Sequence, residues 1–327
     1  MPTIETVTGP IDADDLGRTL IHEHLIIRDE AVAFQWPHVA PVAPDPDDLE
    51  PPDFMTPALK SARAALAAAV KTVCEPTAMF IGRDVSFSRR VAEETGLQLV
   101  ACTGIYTYEY LPPFFLSRDP DAIADLFAHD IEVGIQGTEI KAAFLKCAAD
   151  EPGITPNIEK VHRAVARASV RTGAPIMAHS RPASGTGPAQ VDIFEEEGVD
   201  LGKVQIAHTG DTDDLDYIER LLDRGVWIGM DRFGLDMFLP MERRIPTVAA
   251  LLERGYAERI FLSQDYNATL DWFPPETVRQ MEAAGAARGW SITLLFDEVI
   301  PALRERGMTD EQLETMLVEN PKRWLTP

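Results

Sequence analysis

Cysteine is scarce in this chain, and its scarcity argues against a disulfide-stapled secreted fold. The 327 residues contain three cysteines, Cys74, Cys102 and Cys147, each in a short apolar run and none in a C-x-x-C pair. This pattern is typical of buried thiols in a reducing compartment. No apolar stretch reaches the ~20 residues that a membrane-spanning helix needs, and no signal-like segment follows Met1. We therefore expect a soluble, cytoplasmic protein with no membrane partner.

Positive charge is also in deficit. Lys and Arg number 30 against 53 Asp and Glu, which gives a formal net charge of -23 at pH 7. Nucleic acid or an anionic membrane surface would be repelled along most of such a protein, so neither is expected as a partner. A small neutral or transiently charged substrate is expected instead.

The chain does contain short β-branched runs that alternate with helical patterns, which is typical of βα units in a parallel sheet. Apolar residues at three-to-four spacing predict helices at 157–172 and 213–223, and Gly173, Gly198 and Gly225 stand where helix C-caps belong. The alternating runs predict eight strands, at residues 19–23, 70–74, 97–103, 143–147, 175–179, 204–208, 227–230 and 260–263.

Eight such strands close a barrel, so we predict an α/β fold in which residues 1–327 form a single (β/α)8 TIM barrel domain. The active site of such a barrel lies at the carboxyl ends of its strands. The Pro/Asp-rich segment 37–53 is interpreted as an irregular loop rather than a domain linker, because the βα alternation resumes directly after it.

The stretch TLIHEHLII, residues 19–27, places three polar side chains in an apolar run. Side chains alternate along a strand, so His22 and His24 project together and Glu23 projects the other way, where we expect it to hydrogen-bond behind the site. The pair is either two hydrogen-bonded core histidines or part of a metal site. The helical zinc motif H-E-x-x-H does not fit this spacing.

Polar residues end other predicted strands as well. His179 ends the fifth strand, His208 ends the sixth, and Asp265 follows the eighth. Because these ends share one rim of a barrel, the side chains are candidates for one site. The remaining histidines are interpreted as ordinary surface or packing residues: His38, His129 and His162.

Lys146 interrupts the apolar fourth strand in AAFLKCAA. A free ammonium group is strongly disfavoured there, so one interpretation is that the side chain reaches solvent or pairs with an acid. The other is that burial lowers the pKa of its amine until the neutral form reacts with carbon dioxide. The resulting carbamate is an anionic ligand whose two oxygens can bridge two metal ions.

These residues, in this order, resemble the metal ligands of the phosphotriesterase family of the amidohydrolase superfamily. The segment LGRTLIHEHL resembles the amino-terminal signature of that family, and LKCAADEPGIT, GDTDDLDYI, GMDRFGLD and NPKRWL are similar to the phosphotriesterase-like lactonases. Those enzymes hydrolyse N-acyl homoserine lactones and other lactones, and they often cleave organophosphates weakly. The resemblance covers nearly the whole chain and implies a metal-dependent hydrolase.

The resemblance also implies a binuclear centre of Zn, Co, Fe or Mn ions. One ion would be held by His22, His24 and Asp265 and the other by His179 and His208, with carboxylated Lys146 and a hydroxide bridging both. The hydroxide would attack the substrate carbonyl, and Asp265 would act as general acid/base in addition to being a ligand.

Three more positions match the lactonase pattern. Tyr106 would lie near the metals, Arg232 near the rim of the active site, and Trp272 on the loop after the eighth strand; all three would bind substrate, and Tyr106 and Arg232 would assist catalysis. Without the resemblance, the two aromatic residues would be packing residues, and Arg232 would pair with Asp231 or Asp236.

The loop at about 266–290 is rich in apolar residues, and long apolar loops are usually functional or oligomeric. We expect it to form a channel for an acyl tail, and the family resemblance implies a homodimer that forms near this edge. Gln264 stands where relatives often carry histidine. Side-chain alternation should direct it away from the metals, so it is not expected to be a ligand.

Other functions remain open at this point. A dedicated phosphotriesterase (aryldialkylphosphatase), or another carboxylesterase of the family, would share every ligand, although DEPGIT and GMDRFGLD favour the lactonase. A mononuclear deaminase would have related histidine and aspartate ligands, but it should lack Lys146. A binding protein on an inactive scaffold would have lost a ligand, and none is lost.

Overall fold

The computed structural model describes residues 2–36, 53–287 and 289–326. The chain begins with an antiparallel hairpin of β1 (Thr3–Thr6) and β2 (Gly9–Asp12), which the sequence patterns did not predict. The predicted irregular segment 37–53 lies, apart from its last residue, outside the described residues, and so does His38.

Eight parallel strands follow, and they form the predicted (β/α)8 barrel, with each strand paired to the next in chain order. Nearly every residue of these strands is buried, as expected for a parallel sheet covered on both faces. The strands are β3 (Thr19–Leu20), β4 (Thr72–Glu75), β5 (Gln98–Gly104), β6 (Phe144–Ala148), β7 (Ile176–His179), β8 (Val204–Ala207), β9 (Trp227–Met230) and β10 (Ile260–Leu262).

Helices surround the barrel, most of them on its outside. They are α1 (Glu30–Gln35), α2 (Met55–Ala67), α3 (Val85–Thr95), α4 (Pro113–Leu116), α5 (Pro120–Glu132), α6 (Pro156–Thr172), α7 (Thr186–Glu196), α8 (Leu215–Leu222), α9 (Met241–Glu253), α10 (Pro275–Ala283), α11 (Ile300–Arg304), α12 (Asp310–Glu314) and α13 (Asn320–Leu325). Two π-helical turns, Leu295–Val299 and Thr315–Glu319, precede α11 and α13. Within the described residues, no helix combines the length and hydropathy needed to cross a bilayer.

Local sequence explains where the helices begin and end. The Thr155 side chain accepts a hydrogen bond from the Ile158 backbone N–H at the start of α6, and Gly173 ends that helix in the left-handed conformation with φ 76°. The helix predicted at 157–172 is therefore confirmed with one added residue at its start. The helix predicted at 213–223 is shorter, because Asp214 caps α8 from outside.

The apolar core has two layers. Buried residues of the strands and helices pack together outside the barrel, while a separate cluster fills its interior. In that interior Trp324 of α13 packs against Phe144 and Phe261, with ring centroids 5.5 and 5.8 Å away. Phe144 begins β6, so this aromatic layer lies at the amino end of the barrel, opposite the predicted site. The three cysteines are free and buried, as predicted.

The barrel closes between its last and first strands through the segments that follow them. The Asp265 N–H donates to the His22 carbonyl at 3.1 Å, and the His24 N–H donates to the Tyr266 carbonyl at 2.7 Å. The prediction that the first strand extends to residue 23 is therefore wrong: β3 ends at Leu20, and both histidines lie in the closing segment. The regular ladder is interrupted at His22, whose N–H donates to Oγ of Ser263 at 3.1 Å instead of to a backbone carbonyl.

Candidate metal centre

The six side chains predicted as metal ligands come together at the carboxyl end of the barrel. Three of them come from β6, β7 and the residue after β8, and the other three come from the segments that close the barrel. All are buried, with at most 7% of the residue surface exposed: His22, His24, Lys146, His179, His208 and Asp265.

His22 and His24 direct the same ring nitrogen at one carboxylate oxygen. The Nε2 atom of each lies 3.3 Å from Oδ1 of Asp265. The opposite nitrogens are held from behind, because Nδ1 of His24 lies 2.7 Å from Oγ1 of Thr77 and Nδ1 of His22 lies 3.1 Å from Oδ2 of Asp231. Such partners on one nitrogen orient an imidazole so that the other can bind a metal.

His208 approaches Asp265 from the other side. Its Nε2 lies 3.8 Å from Oδ2 of Asp265, and its Nδ1 lies 3.0 Å from Oδ1 of Asp231. Asp231 therefore holds two imidazoles, one with each oxygen. His208 and Asp265 also have left-handed backbone conformations, with φ of 61° and 51°. For residues other than glycine this costs on the order of 1 kcal/mol, and such strain concentrates at functional sites.

His179 presents its other ring nitrogen to the site. Its Nε2 lies 2.7 Å from Oδ2 of Asp150, whose Oδ1 accepts a hydrogen bond from Arg181 at 3.0 Å. Nδ1 therefore faces the cluster, 3.2 Å from the phenol oxygen of Tyr106. The rings of His179 and His208 are neighbours, with centroids 4.5 Å apart.

Lys146 is fully buried, and its amine reaches into the cluster. Its Nζ lies 3.2 Å from Nε2 of His22. Among the described residues no carboxylate lies within ion-pair distance of that amine, so neither solvent exposure nor an acid partner accounts for it. Burial lowers the pKa of the Lys146 amine from 10.5 to about 8, so part of the amine is in its neutral form near pH 7.

The donor atoms fit divalent metal ions. Burial lowers the pKa of His22 and His179 to about 4, so both rings are neutral at pH 7, the form that binds metals. His22, His24 and Asp265 bring their donor atoms close enough to hold one ion. His22, His208 and Asp231 are also close together, but Asp231 faces the Nδ1 atoms, away from the Nε2 atoms that converge on Asp265. Asp231 therefore supports ligands rather than adding one.

Arg232 is held between two carboxylates. Its Nε donates to Oδ2 of Asp265 at 2.8 Å, and its Nη1 donates to Oδ2 of Asp211 at 2.9 Å. Arg232 is only 8% exposed, so it lies deeper than the predicted position at the rim. Burial alone would raise the pKa of Asp265, but the imidazoles of His22 and His208 and the Arg232 guanidinium outweigh burial and hold that pKa well below its usual value.

A cavity of about 250 Å³ opens above the cluster. Tyr106 and Trp272 both line it, with ring centroids 6.2 Å apart, and the Tyr108 hydroxyl lies 2.9 Å from that of Tyr106. The predicted loop after the eighth strand, which contains α10, contributes much of the apolar wall. Further apolar side chains follow β9, and together these wall residues are Leu235, Met237, Phe238, Leu270, Phe273, Val278, Met281 and Trp290.

Two predictions about supporting residues are confirmed. Glu23 points away from the cluster and accepts hydrogen bonds from Oγ of Ser263 at 2.7 Å and from the backbone N–H groups of Gln264 and Tyr266 at 3.0 and 2.7 Å. The Gln264 side chain donates to the Ile292 carbonyl at 2.7 Å, so it does not reach the cluster.

The positions of His129 and His162 agree with their interpretation as surface or packing residues. His129 is exposed at the end of α5, as expected for a surface residue. His162 is fully buried on α6, where both ring nitrogens are hydrogen-bonded.

Several residues that support or border the cluster were not identified from the sequence as site residues, among them Asp231, Asp150, Thr77 and Tyr108. Asp231 follows β9 directly and Asp150 lies just beyond β6, so the same strand-end rule that indicated His179 could have found them. Thr77 and Tyr108 carry no comparable signal, because their contacts depend on the path of the loops after β4 and β5.

Known proteins similar to this chain match it along its whole length. The phosphotriesterase family model matches residues 2–325. An aryldialkylphosphatase of Saccharolobus solfataricus is 46% identical over 97% of this chain and 97% of its own length. A phosphotriesterase homology protein of Mycobacterium tuberculosis is 42% identical over 99% of this chain and 97% of its own length. The structure of the phosphotriesterase from M. tuberculosis, 41% identical, matches with a TM-score of 0.90 and covers 99% of this chain and 98% of that one.

Proposed function

Because the chain belongs to the phosphotriesterase family and is a hydrolase of that family, we propose that it hydrolyses N-acyl homoserine lactones and related lactones. Weaker activity on organophosphates is expected at the same site. The observation that carries this proposal is the apolar wall above the cluster, to which Leu270, Phe273 and Met281 contribute. Such a wall suits an aliphatic acyl tail, while the polar cluster beneath it suits the lactone ring.

The donor set supports a binuclear centre. His22, His24 and Asp265 would hold one ion, His179 and His208 would hold the other, and Lys146 would bridge them as a carbamate. The carbamate forms when the neutral amine of Lys146 bonds to the carbon of carbon dioxide and one N–H proton leaves to solvent. When bound, the two ions supply hydroxide near neutral pH and polarise the ester carbonyl. The identity of the ions and the homodimer stay predictions.

The protein's own residues manage the proton and the substrate. Asp265 is a carboxylate at neutral pH and can accept the proton of the attacking nucleophile, then deliver it to the alkoxide oxygen that leaves when the ring opens. Arg232 restrains Oδ2 of that carboxylate by its 2.8 Å hydrogen bond. The Tyr106 hydroxyl, at the base of the cavity, is placed to donate to the substrate, and the Trp272 ring lies beside the Tyr106 ring with centroids 6.2 Å apart.

A dedicated phosphotriesterase is the second candidate function. It is favoured by one relative, the aryldialkylphosphatase of S. solfataricus, which is 46% identical to this chain. The same donor set would serve a phosphoryl centre, since the ions would polarise a phosphoryl oxygen in place of a carbonyl oxygen.

Steady-state kinetics on the metal-loaded enzyme distinguishes the two functions. We expect kcat/KM to be higher for acyl homoserine lactones than for a diethyl aryl phosphotriester. It should also rise with acyl length by up to about fourfold for each methylene that the apolar wall buries, because each contributes about 0.8 kcal/mol. Asp265→Asn is the control for the shared site and should abolish both activities. A higher kcat/KM for the phosphotriester would reject the lactonase in favour of the second candidate.

A further inference from the structure

Two fully buried polar side chains form a hydrogen-bonded chain behind His179, on the outer side of the barrel. His162 lies on α6 and Gln190 on α7, the helices that flank β7. Nδ1 of His162 lies 2.7 Å from the Ile158 carbonyl oxygen, and its Nε2 lies 2.9 Å from Nε2 of Gln190. The same amide nitrogen of Gln190 donates to the backbone carbonyl of His179 at 2.8 Å.

The acceptors in this chain determine where its protons lie. A carbonyl oxygen only accepts, so His162 carries its hydrogen on Nδ1 and presents a lone pair at Nε2. The Gln190 amide nitrogen has two hydrogens, and its two neighbours, Nε2 of His162 and the carbonyl oxygen of His179, accept one each. A flipped amide would set its oxygen against both acceptors, so the orientation of Gln190 is determined.

Stability alone does not explain this polar pair. Oε1 of Gln190 has no hydrogen-bond partner among the described residues although it is buried. An unpaired buried carbonyl oxygen is unfavourable, and an apolar side chain between the two helices would avoid that penalty. The surrounding core is apolar and includes Phe194, whose ring stacks on His162 at a centroid distance of 5.7 Å. The pair is therefore explained better by what it does to His179.

His179 is restrained from several sides where β7 ends. Its carbonyl oxygen accepts a second hydrogen bond, from the Ala149 N–H at 3.0 Å, while Asp150 holds its Nε2. We propose that His162 and Gln190 are positioning residues, which hold the His179 main chain so that Nδ1 faces the candidate metal centre. This inference rests on the proposed role of His179 as a ligand.

The test measures metal retention, which is separate from activity. The enzyme is loaded with Co²⁺, and bound cobalt and its visible absorption spectrum are followed as 1,10-phenanthroline is raised. Gln190→Leu removes both donors at similar volume, and His162→Phe keeps the stacking on Phe194 but removes the acceptor. In both variants we expect one of the two ions to be lost at about tenfold lower chelator concentration, with a changed cobalt spectrum, while the other ion is retained.

Two further variants separate the possible outcomes. Val191→Ala creates a defect in the buried face of the same helix, next to Gln190 in sequence, and should lower the Tm without altering cobalt retention. If Gln190→Leu loses cobalt no more readily than wild type or Val191→Ala, whatever its own Tm, the positioning role is rejected. His179→Ala tests the premise, since loss of one ion supports its role as a ligand. If both ions stay bound in His179→Ala, the ligand set and the positioning role are both wrong.

Discussion

Replacing Lys146 with methionine is expected to stabilise the metal-free protein while abolishing activity. Methionine has nearly the same length as lysine but no charge to desolvate. Burial lowers the pKa of the Lys146 amine from 10.5 to about 8. Since each pKa unit corresponds to about 1.4 kcal/mol, the charged amine destabilises the metal-free fold by about 3 kcal/mol at neutral pH.

The sign of the pH dependence follows from the direction of this change. The folded-state pKa lies below the unfolded value, so the destabilisation is fully present below about pH 8 and disappears as the pH rises to about 10.5. Metal-free wild-type protein should therefore gain about 3 kcal/mol from Lys146 across this interval, and Lys146→Met should not. For a chain of this length that free energy corresponds to a Tm difference of about 4 °C.

Thermal unfolding of metal-free, bicarbonate-free protein measures this difference. The quantity compared is the Tm of Lys146→Met minus the Tm of wild type at the same pH. We expect this difference to be about 4 °C larger near pH 7 than near pH 10.5. Leu145→Met, an apolar exchange at the neighbouring buried position of β6, is the matched control, and its Tm difference from wild type should not change with pH. A Tm difference for Lys146→Met that stays constant between these pH values would refute the argument from burial.

Two further substitutions test the support of the ligands and the cavity wall. Asp231 faces two imidazole N–H groups, and Asp231→Asn has only one oxygen left to accept from them. We therefore expect the metal affinity measured in a chelator titration to fall about 10- to 100-fold. A variant with wild-type affinity would contradict the support role. Trp272→Ala removes part of the apolar wall of the cavity. Because the lost contact would be with the acyl tail, KM should rise by about tenfold for long-chain acyl lactones and far less for short-chain ones. Equal effects on both would show that Trp272 does not contact the tail.

Most barrel strands could be predicted because parallel strands are buried on both faces and appear as short apolar runs. The strand predicted at 227–230 has the bounds of β9, Trp227–Met230. The first strand was harder, because its apolar run continues through Ile27 while regular pairing stops at Leu20. The hydroxyl of Ser263, far away in the sequence, takes the place of a backbone partner there, and no local pattern reports such an exchange.

The candidate ligands could be predicted because a barrel brings the carboxyl ends of distant strands to one rim. His179 and His208 needed only that rule. The residues that hold the ligands needed more, since Asp231 lies 209 positions from His22, and Thr77 lies 53 positions from His24. The helix that carries His162 was predicted from the sequence. The link from His162 through Gln190 to His179 could not be predicted, because it depends on how two helices pack.

The sequence by itself determined the barrel, the chemical types of the candidate ligands and the strands that deliver them, because these follow from apolar periodicity and strand ends. Only the tertiary structure decided which nitrogen of each imidazole faces the site. His22 and His24 use Nε2 while His179 uses Nδ1, because Asp231, Thr77 and Asp150 engage the opposite nitrogens. A ring can turn either way on its own strand, and a hydrogen-bond partner from another element is what selects one orientation.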